Sequence, residues 1–421
     1  IIIDEEHESS YKSDYTPKYD TIDTAKKRAE INNAVLILGS ATPTVISYYK
    51  SQIGEYDRIE LKERYNKTPM PLIEVVDMRE ELQLGNKSIF SKKLYDAMKQ
   101  NLKAGKQVIL FLNRRGYASF VSCRSCGYVV KCPSCGISMT YHFNSQTCVC
   151  HYCGHENRTP ERCPECSSKY IKFFGVGTEK VEAYVKEIFP DHTCARLDLD
   201  TSSKKGSAQK ILGDFKRGKT DILIGTQIIA KGLDFPNVGL VGVIAADISL
   251  NIADYRASER TFQLITQAAG RSGRGTERGI VIVQTYKPEH YAVITASGHD
   301  YHSFYENEIL MRSQLEYPPF TDIMQIIISG KDEKGAGILA DKIVSDFIRE
   351  SGTEVRNQIL GPRPAPRQKI NDRFRFQILI KCKPVDRIQF KGIINNIKND
   401  FRDVEQKGYG ITIDINPYSF M

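Results

Sequence analysis

The chain has 421 residues and 41% of them are hydrophobic, so it can form about two to four domains with real cores and is not disordered as a whole. Its net charge of +8 and isoelectric point of about 8.8 favour a polyanionic partner. No apolar run approaches the roughly 20 residues that cross a bilayer. The opening Ile-Ile-Ile-Asp-Glu-Glu-His is typical of a buried strand that ends in acids, not of a signal peptide. We therefore expect a cytoplasmic protein without a membrane partner.

Strand and helix signals alternate from residue 1 to about residue 300. Short apolar runs at Ile1–Ile3 and Val35–Leu38 predict buried parallel strands, and a mixed connector covers about 51–85. Later signals predict helices over Ser91–Leu102, through Val181–Ile188 and from Ser258, and strands at Val108–Leu112, Phe173–Val176, Ile222–Ile224, Val241–Ala245 and Ile280–Gln284. A cysteine-rich stretch interrupts this alternation, which indicates an α/β domain with an inserted module.

The pattern changes after about residue 305, where we expect a separate α+β domain. Its signals are the segment Tyr317-Pro318-Pro319-Phe320, a strand at Met324–Ile328, a helix at Ala336–Arg349, the proline-rich run Gly361–Pro366 and a strand at Phe374–Ile380. Alternation in the last strand places its apolar side chains on one face and Arg373, Arg375 and Lys381 on the other. That basic face is either a solvated surface or a site for the DNA backbone.

Nine of the eleven cysteines lie between Cys123 and Cys166. Eight of them form Cys-x-x-Cys pairs, at Cys123/Cys126, Cys132/Cys135, Cys150/Cys153 and Cys163/Cys166. This clustering indicates metal binding in a reducing compartment rather than a disulfide scaffold. Glycine follows three of the pairs, where a positive φ can turn backbone N–H groups toward a thiolate. Eight thiolates make two tetrahedral zinc sites of four cysteines each, which are closed and therefore structural.

Chain reach indicates which pairs share a zinc ion. Five residues separate Cys126 from Cys132, which is tight for two facing turns, whereas fourteen separate Cys135 from Cys150. We therefore expect an inner site from the second and third pairs and an outer site, clamping the neck of the insertion, from the first and fourth. Alternatives stay open: Cys148 rivals Cys150, a histidine (His142, His151 or His155) could replace a ligand, and the pairs could be reduced thiols or a redox motif.

Polar residues follow the ends of several predicted strands. Asp4-Glu5-Glu6-His7 follows the first strand, where one acid can hold Mg²⁺ against nucleotide phosphates and the next can activate water, although a solvated strand end is the alternative. Gly39-Ser40-Ala41-Thr42-Pro43 could relay nucleotide state or cap a helix. Gly225-Thr226-Gln227 and the turn Ala230–Phe235 could offer backbone N–H groups to a phosphodiester.

A pair of arginines marks the end of the helix that begins at Ser258. In Gln267-Ala268-Ala269-Gly270-Arg271-Ser272-Gly273-Arg274 the two arginines are three residues apart and therefore share one face. Arginine suits phosphate because its planar fork donates two hydrogen bonds and stays charged. The neighbouring glycines favour close approach to a ligand over the alternative, a pair of surface arginines before a turn.

These motifs occur in a characteristic order: D-E-E-H, then S-A-T-P, then G-T-Q with K-G-x-D-F, then Q-x-x-G-R-x-G-R. With the inserted four-pair cysteine module, this order closely resembles the PriA family of replication-restart helicases. The likeness covers almost the whole chain and includes Phe111–Tyr117, Asp254–Arg260, Tyr317–Phe320 and Gly361–Pro366. The cysteine spacing matches that family pair for pair.

The resemblance implies a superfamily-2 helicase with two RecA-like lobes that moves 3′ to 5′ on DNA and acts at stalled or abandoned forks. Asp4 would help to hold Mg²⁺, Glu5 would orient the attacking water, and Arg271 and Arg274 would reach ATP from the second lobe. The resemblance further implies nucleotide contacts at Glu6, His7, Gln267, Gly232 and Asp234, and DNA contacts at Thr226, Gln227, Lys231, Arg114, Arg373 and Arg375. Implied partners are forked and single-stranded DNA, the single-strand DNA-binding protein, primosome proteins and the replicative helicase loader.

The chain departs from the family pattern in three places. Tyr11–Asp23 resembles the family's aromatic coupling loop, with Y-D-T-I-D where the family has Y-H-A-R-D, and Leu233 stands where histidine is common. The letters G-x-x-x-x-G-K-T occur once, at Gly213–Thr220 and far downstream of Asp4, whereas in the family the phosphate-binding loop and the N-terminal DNA-binding domains precede Asp4. We therefore expect a C-terminal fragment, beginning at Ile1, that lacks ATPase activity alone and binds Mg²⁺ and ATP in the intact protein.

The expected architecture is an α/β chain of RecA-like helicase lobes, the first only partial, with an inserted module of two four-cysteine zinc sites and a C-terminal α+β domain. The expected divisions are 1–75 for the rest of the first lobe and a connector, 76–120 and 171–304 for the second lobe, 121–170 for the zinc module and 305–421 for a domain that binds DNA or partners. A non-enzymatic fork-binding zinc platform for primosome assembly and a dithiol redox protein are the competing functions. The acids and arginines of the motor motifs favour the helicase.

Overall fold

The computed structural model describes residues 1–15, 17–61, 69–112, 120–142, 145–174, 177–198, 201, 206–226, 235–272, 278–400 and 408–420. Six of the expected site residues lie outside these ranges, namely Arg114, Gln227, Lys231, Gly232, Asp234 and Arg274. None of the helices within these ranges is long and apolar enough to cross a membrane.

The first 52 residues form a small layer of strands and helices. Its described elements are β1 (Ile2–Asp4), α1 (Thr21–Ile31), β2 (Ile37–Gly39) and α2 (Val45–Gln52). β1 and β2 are parallel, with Asp4 opposite Gly39. Because parallel strands end at the same edge, this pairing brings the acid turn, defined as Asp4–His7, beside the loop Ser40–Pro43.

A parallel sheet with an insertion follows this layer. Its described strands are β3 (Leu72–Asp77), β4 (Gln107–Phe111), β5 (Phe120–Cys123), β6 (Thr140–His142), β7 (Thr147–Val149), β8 (Glu156–Arg158), β9 (Ile171–Phe174), β10 (Cys194–Leu197), β11 (Ile222–Gly225), β12 (Val238–Val243) and β13 (Ile280–Thr285). The accompanying helices are α3 (Met78–Gln83), α4 (Lys92–Lys103), α5 (Thr178–Ile188), α6 (Ser207–Lys216), α7 (Ala246–Leu250), α8 (Ala257–Ala269), α9 (Tyr291–Ser297) and α10 (Tyr301–Gln314).

The sheet of the second lobe has the order β10-β11-β4-β12-β13-β3, with every described pairing parallel. Every residue of β4 is buried, as in a central strand that is covered on both faces. β3 forms one edge and pairs with β13 from Leu72 onward. Residues 72–75, which the sequence analysis placed in the connector, therefore belong to this sheet, because Ile73 is buried in the core beneath it.

Two apolar cores cover the two faces of this sheet. One packs α4 and α5 against the strands through residues such as Leu94 and Val181. The other packs α8, α9 and α10 against the opposite face, with Phe262 among its fully buried side chains. α2 belongs to this second core, since Val45 and Tyr48 are buried in it. The helix that follows the Ser40–Pro43 loop is thus held by the second lobe.

The insertion begins and ends on a short antiparallel ribbon. β5 pairs with β9, so the chain leaves and re-enters the lobe at adjacent points. The strand expected at Phe173–Val176 is found at Ile171–Phe174 and belongs to this ribbon rather than to the main sheet. β9 pairs with β5 because the two ends of the insertion must lie side by side where it joins the lobe. Beyond the ribbon, β6, β7 and β8 pair antiparallel.

The C-terminal domain is an antiparallel sheet with helices on one face. Its described elements are β14 (Asp322–Gly330), α11 (Glu333–Ser351), β15 (Ile359–Ile370), β16 (Arg373–Cys382), α12 (Arg387–Asp400) and β17 (Gly410–Ile415). The strand order is β15-β16-β14-β17, and α11 and α12 share its core. The Gly361–Pro366 run, expected to interrupt the chain, lies inside edge strand β15, where the N–H that proline lacks is not required for pairing.

The zinc module partly covers the face of β16 opposite these helices. Leu379 is buried in one cluster with Val121 and Cys135. Gln377 Nε2 donates a hydrogen bond to His151 O over 3.1 Å. The expectation of a solvated or DNA-binding face is therefore corrected for this part of the strand, because the zinc module provides it with apolar and hydrogen-bonding partners.

Candidate motor site and zinc centres

The acid turn separates two exposed acids from a buried one. Asp4 and Glu5 are exposed at the tip of β1, and Glu5 has a φ of 51°, which turns the chain sharply. Glu5 N donates to Asp4 Oδ1 over 3.0 Å, and Glu6 N donates to Gly39 O over 3.0 Å. The turn therefore presents Asp4 and Glu5 to solvent, where they can reach a ligand, and directs Glu6 into the protein.

Glu6 caps helix α2. Its carboxylate accepts hydrogen bonds from Thr44 N at 2.5 Å and from Ser47 Oγ at 3.1 Å. Burial raises the pKa of Glu6 to about 7, and the charge of nearby Glu259 adds to this shift. The sequence analysis expected Glu6 at the nucleotide; in the fold its carboxylate is occupied by the first turn of α2.

His7 connects three of the sequence motifs. Its Nδ1 lies 2.6 Å from Ser40 Oγ and its Nε2 lies 2.5 Å from Gln267 Nε2. Because the amide nitrogen of Gln267 is a donor, this geometry matches an imidazole that accepts at Nε2 and carries its proton on Nδ1. The acid turn, the Ser40–Pro43 loop and the end of α8 therefore meet at one side chain.

Arg271 lies one helical turn beyond Gln267. α8 ends at Ala269, and Arg271 N donates to Ala268 O over 3.1 Å, so the helical path continues for one more turn. Residues four apart lie on the same side of a helix. The side chain of Arg271 is 8% exposed. Arg271 therefore lies one turn beyond the residue that contacts the acid turn, and Arg274 lies outside the described residues.

The expected DNA contacts are described at three positions. Thr226 is buried directly after β11, at the carboxyl edge of the sheet. Arg373 Nη2 donates to Ser329 O at 3.0 Å and to Gly408 O at 2.8 Å. Arg375 has a lowered pKa because it is half-buried and lies near Arg367. Arg373 therefore binds two backbone carbonyls inside its own domain, and Arg375 makes one longer bond of this kind, from Nη1 to Arg367 O over 3.4 Å.

Sequence reasoning missed a buried polar network beside this site. Glu259 in α8 accepts a hydrogen bond from Val45 N over 2.9 Å, and Arg312 in α10 donates to Glu259 over 2.7 Å. Arg312 also donates to Glu308 over 2.8 Å. The sequence shows charged residues on otherwise apolar helix faces, and Glu259 lies in the Asp254–Arg260 stretch of the family resemblance, but neither feature reveals their partners.

The cysteine sulfurs lie in two groups of four. One group holds Cys123, Cys126, Cys163 and Cys166, and the other holds Cys132, Cys135, Cys150 and Cys153. Within each group the sulfurs are within 4.8 Å of one another, and three of the separations are 3.6, 3.5 and 3.4 Å. A tetrahedral zinc site with Zn–S bonds of roughly 2.3 Å needs sulfurs about 3.8 Å apart. The groups fit Zn²⁺, and they are the groups that chain reach predicts.

Each cysteine pair forms the same tight turn. The carbonyl of the first cysteine accepts from the N–H four residues on, as in Gly127 N to Cys123 O over 2.8 Å and Ser167 N to Cys163 O over 2.8 Å. The residue after each second cysteine has positive φ, at 75°, 68°, 77° and 57° for Gly127, Gly136, Gly154 and Ser167. This conformation explains the three glycines of the sequence pattern.

The rival ligands lie elsewhere in the module. Cys148 Sγ is 3.8 Å from Thr159 Oγ1, and His142 Nε2 is 3.2 Å from His151 Nε2. Neither four-sulfur group, as far as the structure describes the chain, includes a histidine or Cys148. Burial lowers the pKa of His151 to about 4, so its imidazole is held neutral.

The two cysteine groups face different domains. In the outer group, Cys126 O accepts from Arg79 of the second lobe over 3.4 Å. In the inner group, Cys135 O accepts from Tyr317 Oη over 3.1 Å, at the entrance to the C-terminal domain. A side chain at Gly154 would collide with the guanidinium of Arg363 in β15. The module therefore joins the second lobe to the C-terminal domain.

Three domain models match the chain. They are described as "Primosomal protein N C-terminal domain" over residues 313–418, "Helicase conserved C-terminal domain" over 168–276 and "PriA DNA helicase Cys-rich region (CRR) domain" over 132–158. Among solved structures, Dbp5 of S. cerevisiae bound to RNA and ADP BeF3 is 15% identical with a TM-score of 0.36, covering 75% of this chain and 62% of that one. RecG bound to a three-way DNA junction is 12% identical with a TM-score of 0.32, covering 68% of this chain and 31% of that one.

Curated relatives match most or all of the chain. A protein named replication restart protein PriA from Bacillus subtilis is 47% identical over 422 residues, covering 100% of this chain and 52% of the relative. Proteins of the same name from Synechocystis and Treponema pallidum are 44% and 36% identical, covering 90% and 100% of this chain and 47% and 62% of the relatives. The chain spans about half the length of the first two relatives. With three matching domain models and this identity along its length, the chain belongs to the PriA family of replication restart proteins.

Proposed function

We propose that the chain supplies the second motor lobe, the zinc module and the C-terminal domain of an ATP-dependent 3′-5′ DNA helicase. This helicase would recognise stalled or abandoned forks and help to reload the replicative helicase. The observation that carries the proposal is the contact between His7 and Gln267, which sets the acid turn beside the arginine end of α8. Acids and arginines on opposite sides of a nucleotide can couple its hydrolysis to lobe movement.

The roles of the motor residues follow from their chemistry. Asp4 would hold Mg²⁺ against the nucleotide phosphates, where the ion neutralises phosphate charge. Glu5 would accept a hydrogen bond from the attacking water and direct its lone pair at the γ-phosphate. Arg271 and Arg274 would donate to the phosphate oxygens as negative charge develops on them.

The other nucleotide residues would act around this core. His7 and Gln267 would transmit a change at the phosphates to the Ser40–Pro43 loop, because His7 touches both the loop and the end of α8. Gly232 and Asp234 would approach the nucleotide from the second lobe. Glu6 would contribute through α2, which it caps, rather than through direct contact with the ligand.

DNA and protein partners form the remaining part of the proposal. Thr226, Gln227 and Lys231 would bind the DNA backbone near the cleft, and Arg114 and Arg375 would extend that path, in keeping with the net charge of +8. Arg373 would support this surface from within its domain, since it binds Ser329 O and Gly408 O. Forked and single-stranded DNA, the single-strand DNA-binding protein, primosome proteins and the replicative helicase loader are the proposed partners. Two structural Zn²⁺ ions would hold the module between the domains.

A chimera tests the proposal. The chain replaces the 422 residues that it matches in the Bacillus subtilis relative, and ATP hydrolysis is measured with and without forked DNA, together with strand displacement from 3′-tailed and 5′-tailed duplexes. We expect DNA-stimulated hydrolysis and displacement along the 3′-to-5′ direction. The 421-residue chain alone is the control, and we expect it to hydrolyse no ATP.

A non-enzymatic fork-binding zinc platform is the second candidate. It is favoured by the position of the zinc module, which contacts the second lobe through Cys126 and the C-terminal domain through Cys135. A chimera that folds, contains zinc and binds forked DNA without hydrolysing ATP would support the platform and exclude the helicase.

A further inference from the structure

The N-terminus of α2 receives a carboxylate from two parts of the protein. Glu6 of the acid turn binds Thr44 N, and Glu259 of α8 binds Val45 N. Glu6 is 3% exposed and Glu259 is 5% exposed. A helix N-terminus stabilises acids, but two buried carboxylates in one place also repel each other, so an arrangement of this kind requires a compensating charge.

Arg312 provides that charge. Its Nη2 donates to Glu259 Oε2 over 2.7 Å, and its Nε donates to Glu308 Oε1 over 2.8 Å. Tyr291 Oη donates to the second oxygen of Glu308 over 2.5 Å. Arg312 is only 2% exposed, so these ion pairs are shielded from water. Glu259 therefore stays paired through one oxygen and holds Val45 N with the other.

Val45, which Glu259 holds, lies two residues beyond the end of the Ser40–Pro43 loop. Tyr301 Oη donates to Pro43 O over 2.8 Å, which fixes the end of the Ser40–Pro43 loop to α10. At its other end, Ser40 Oγ lies 2.6 Å from His7 Nδ1. Residues 40–45 therefore connect the buried network of the second lobe to the acid turn without a break.

We infer that Glu259 and Arg312 are positioning residues of the motor. They hold the Ser40–Pro43 loop, and through it the acid turn, in a fixed relation to α8, so that the contact between His7 and Gln267 is maintained. The catalytic meaning of this inference rests on the proposed function, whereas the anchoring itself is a property of the fold. Glu259 acts on the exposed acids through Val45 and the loop that precedes it, so its loss should lower turnover without weakening ATP binding.

Hydrogen exchange tests the anchoring in the 421-residue chain itself. Glu259→Met removes the acceptor for Val45 N, and Glu308→Met is the matched control, because Glu308 shares Arg312 but is bonded to α10 and α9 rather than α2. We expect amide exchange in residues 44–48 to rise about tenfold or more in Glu259→Met. Glu308→Met should leave that segment unchanged. Glu259→Gln keeps one acceptor oxygen for two donors, Val45 N and Arg312, so exchange in residues 44–48 should lie between that of the unsubstituted chain and that of Glu259→Met.

The chimera with the Bacillus subtilis relative tests the motor consequence. Glu259→Met should lower kcat about tenfold or more, with KM for ATP unchanged and with partial recovery in Glu259→Gln. If Glu259→Met does not fold, Glu259→Asp replaces it, because the shorter side chain keeps a charge beside Arg312 but cannot also span to Val45.

The outcomes separate anchoring from mere stability. Equal acceleration of exchange at residues 44–48 in the Glu259 and Glu308 variants would overturn the inference, since the network would then only stabilise the domain. Accelerated exchange with unchanged kcat would overturn it as well. An unsubstituted chimera that hydrolyses no ATP would refute the proposed function, and the exchange experiment would then decide alone whether Glu259 anchors the loop.

Discussion

His7 and Gln267, 260 positions apart in the chain, meet with their Nε2 atoms separated by 2.5 Å. The same imidazole lies 2.6 Å from Ser40 Oγ through its other nitrogen. A rearrangement at any one of the three motifs must therefore move or break a contact with His7. This contact is the physical basis for treating the acid turn and the arginine end of α8 as parts of one motor site.

A double-mutant cycle measures this contact. In the chimera, His7→Ala and Gln267→Ala should each lower kcat about tenfold, because each removes the same hydrogen bond. The double variant should be no slower than the slower single variant. Steady-state ATP hydrolysis with saturating DNA provides the measurement. Fully additive losses would show that the two residues act independently.

Arg271→Lys tests the arginine end of α8. Lysine keeps the charge but lacks the planar fork, so hydrolysis should fall by roughly 10³-fold or more while DNA affinity stays nearly constant. Arg274→Ala, at a position outside the described residues, should likewise lower hydrolysis while DNA affinity stays nearly constant. Arg278→Lys is the control, because Arg278 Nε donates to the backbone carbonyl of Met70 over 2.8 Å. A parallel loss of DNA binding would identify Arg271 as a DNA contact or a folding residue.

The pH dependence of the α2 cap follows from Glu6. Its pKa is raised from 4.5 to about 7 in the fold, so the folded state binds the proton more tightly and loses stability as pH rises from about 4.5 to about 7. Glu6→Gln mimics the protonated form and should be more stable above pH 7 by up to about 3 kcal/mol, with no advantage below about pH 4.5. The ratio of exchange rates at residues 44–48 between the two proteins, measured from pH 4.5 to 8, checks this. A ratio independent of pH would contradict the assignment.

Loss of each zinc site should loosen a different boundary. Cys163→Ser and Cys135→Ser should each lower the zinc content from about two ions per chain to about one. The first should expose cleavage sites near residues 121 and 170, and the second should expose the junction near Tyr317, whose hydroxyl binds Cys135 O. Cys148→Ser is the control and should keep both ions, because Cys148 lies outside both sulfur groups. Metal analysis with limited proteolysis measures all three variants, and identical cleavage patterns for the first two would refute separate roles.

The two arginines of β16 should differ in their effects. Arg375→Ala should reduce the slope of log affinity against log salt by about one, as expected when one phosphate contact is lost. Arg373→Ala should mainly lower the melting temperature of the C-terminal domain, because it removes bonds to Ser329 O and Gly408 O. DNA titrations at several salt concentrations and thermal melts distinguish these results. An unchanged slope in Arg375→Ala would exclude Arg375 from the DNA path.

Features that depend on neighbouring residues were predictable without coordinates. The grouping of the cysteines follows from loop lengths such as the fourteen residues between Cys135 and Cys150, and Gly127 occupies a turn that needs positive φ. The order of strands and helices follows from apolar periodicity, as at β4 and α8. Short-range sterics and chain reach are encoded in adjacent residues, so spacing alone reveals them.

Features that depend on distant partners needed the folded chain. The letters D-E-E-H do not distinguish Asp4 and Glu5, which are exposed, from Glu6, which caps α2. Nothing in the spacing pairs Glu259 with Val45, 214 positions away, or Gln377 with His151, 226 positions away. Such contacts depend on how helices and sheets pack in three dimensions. Packing depends on the shape and charge of whole surfaces, which no local pattern of residues contains.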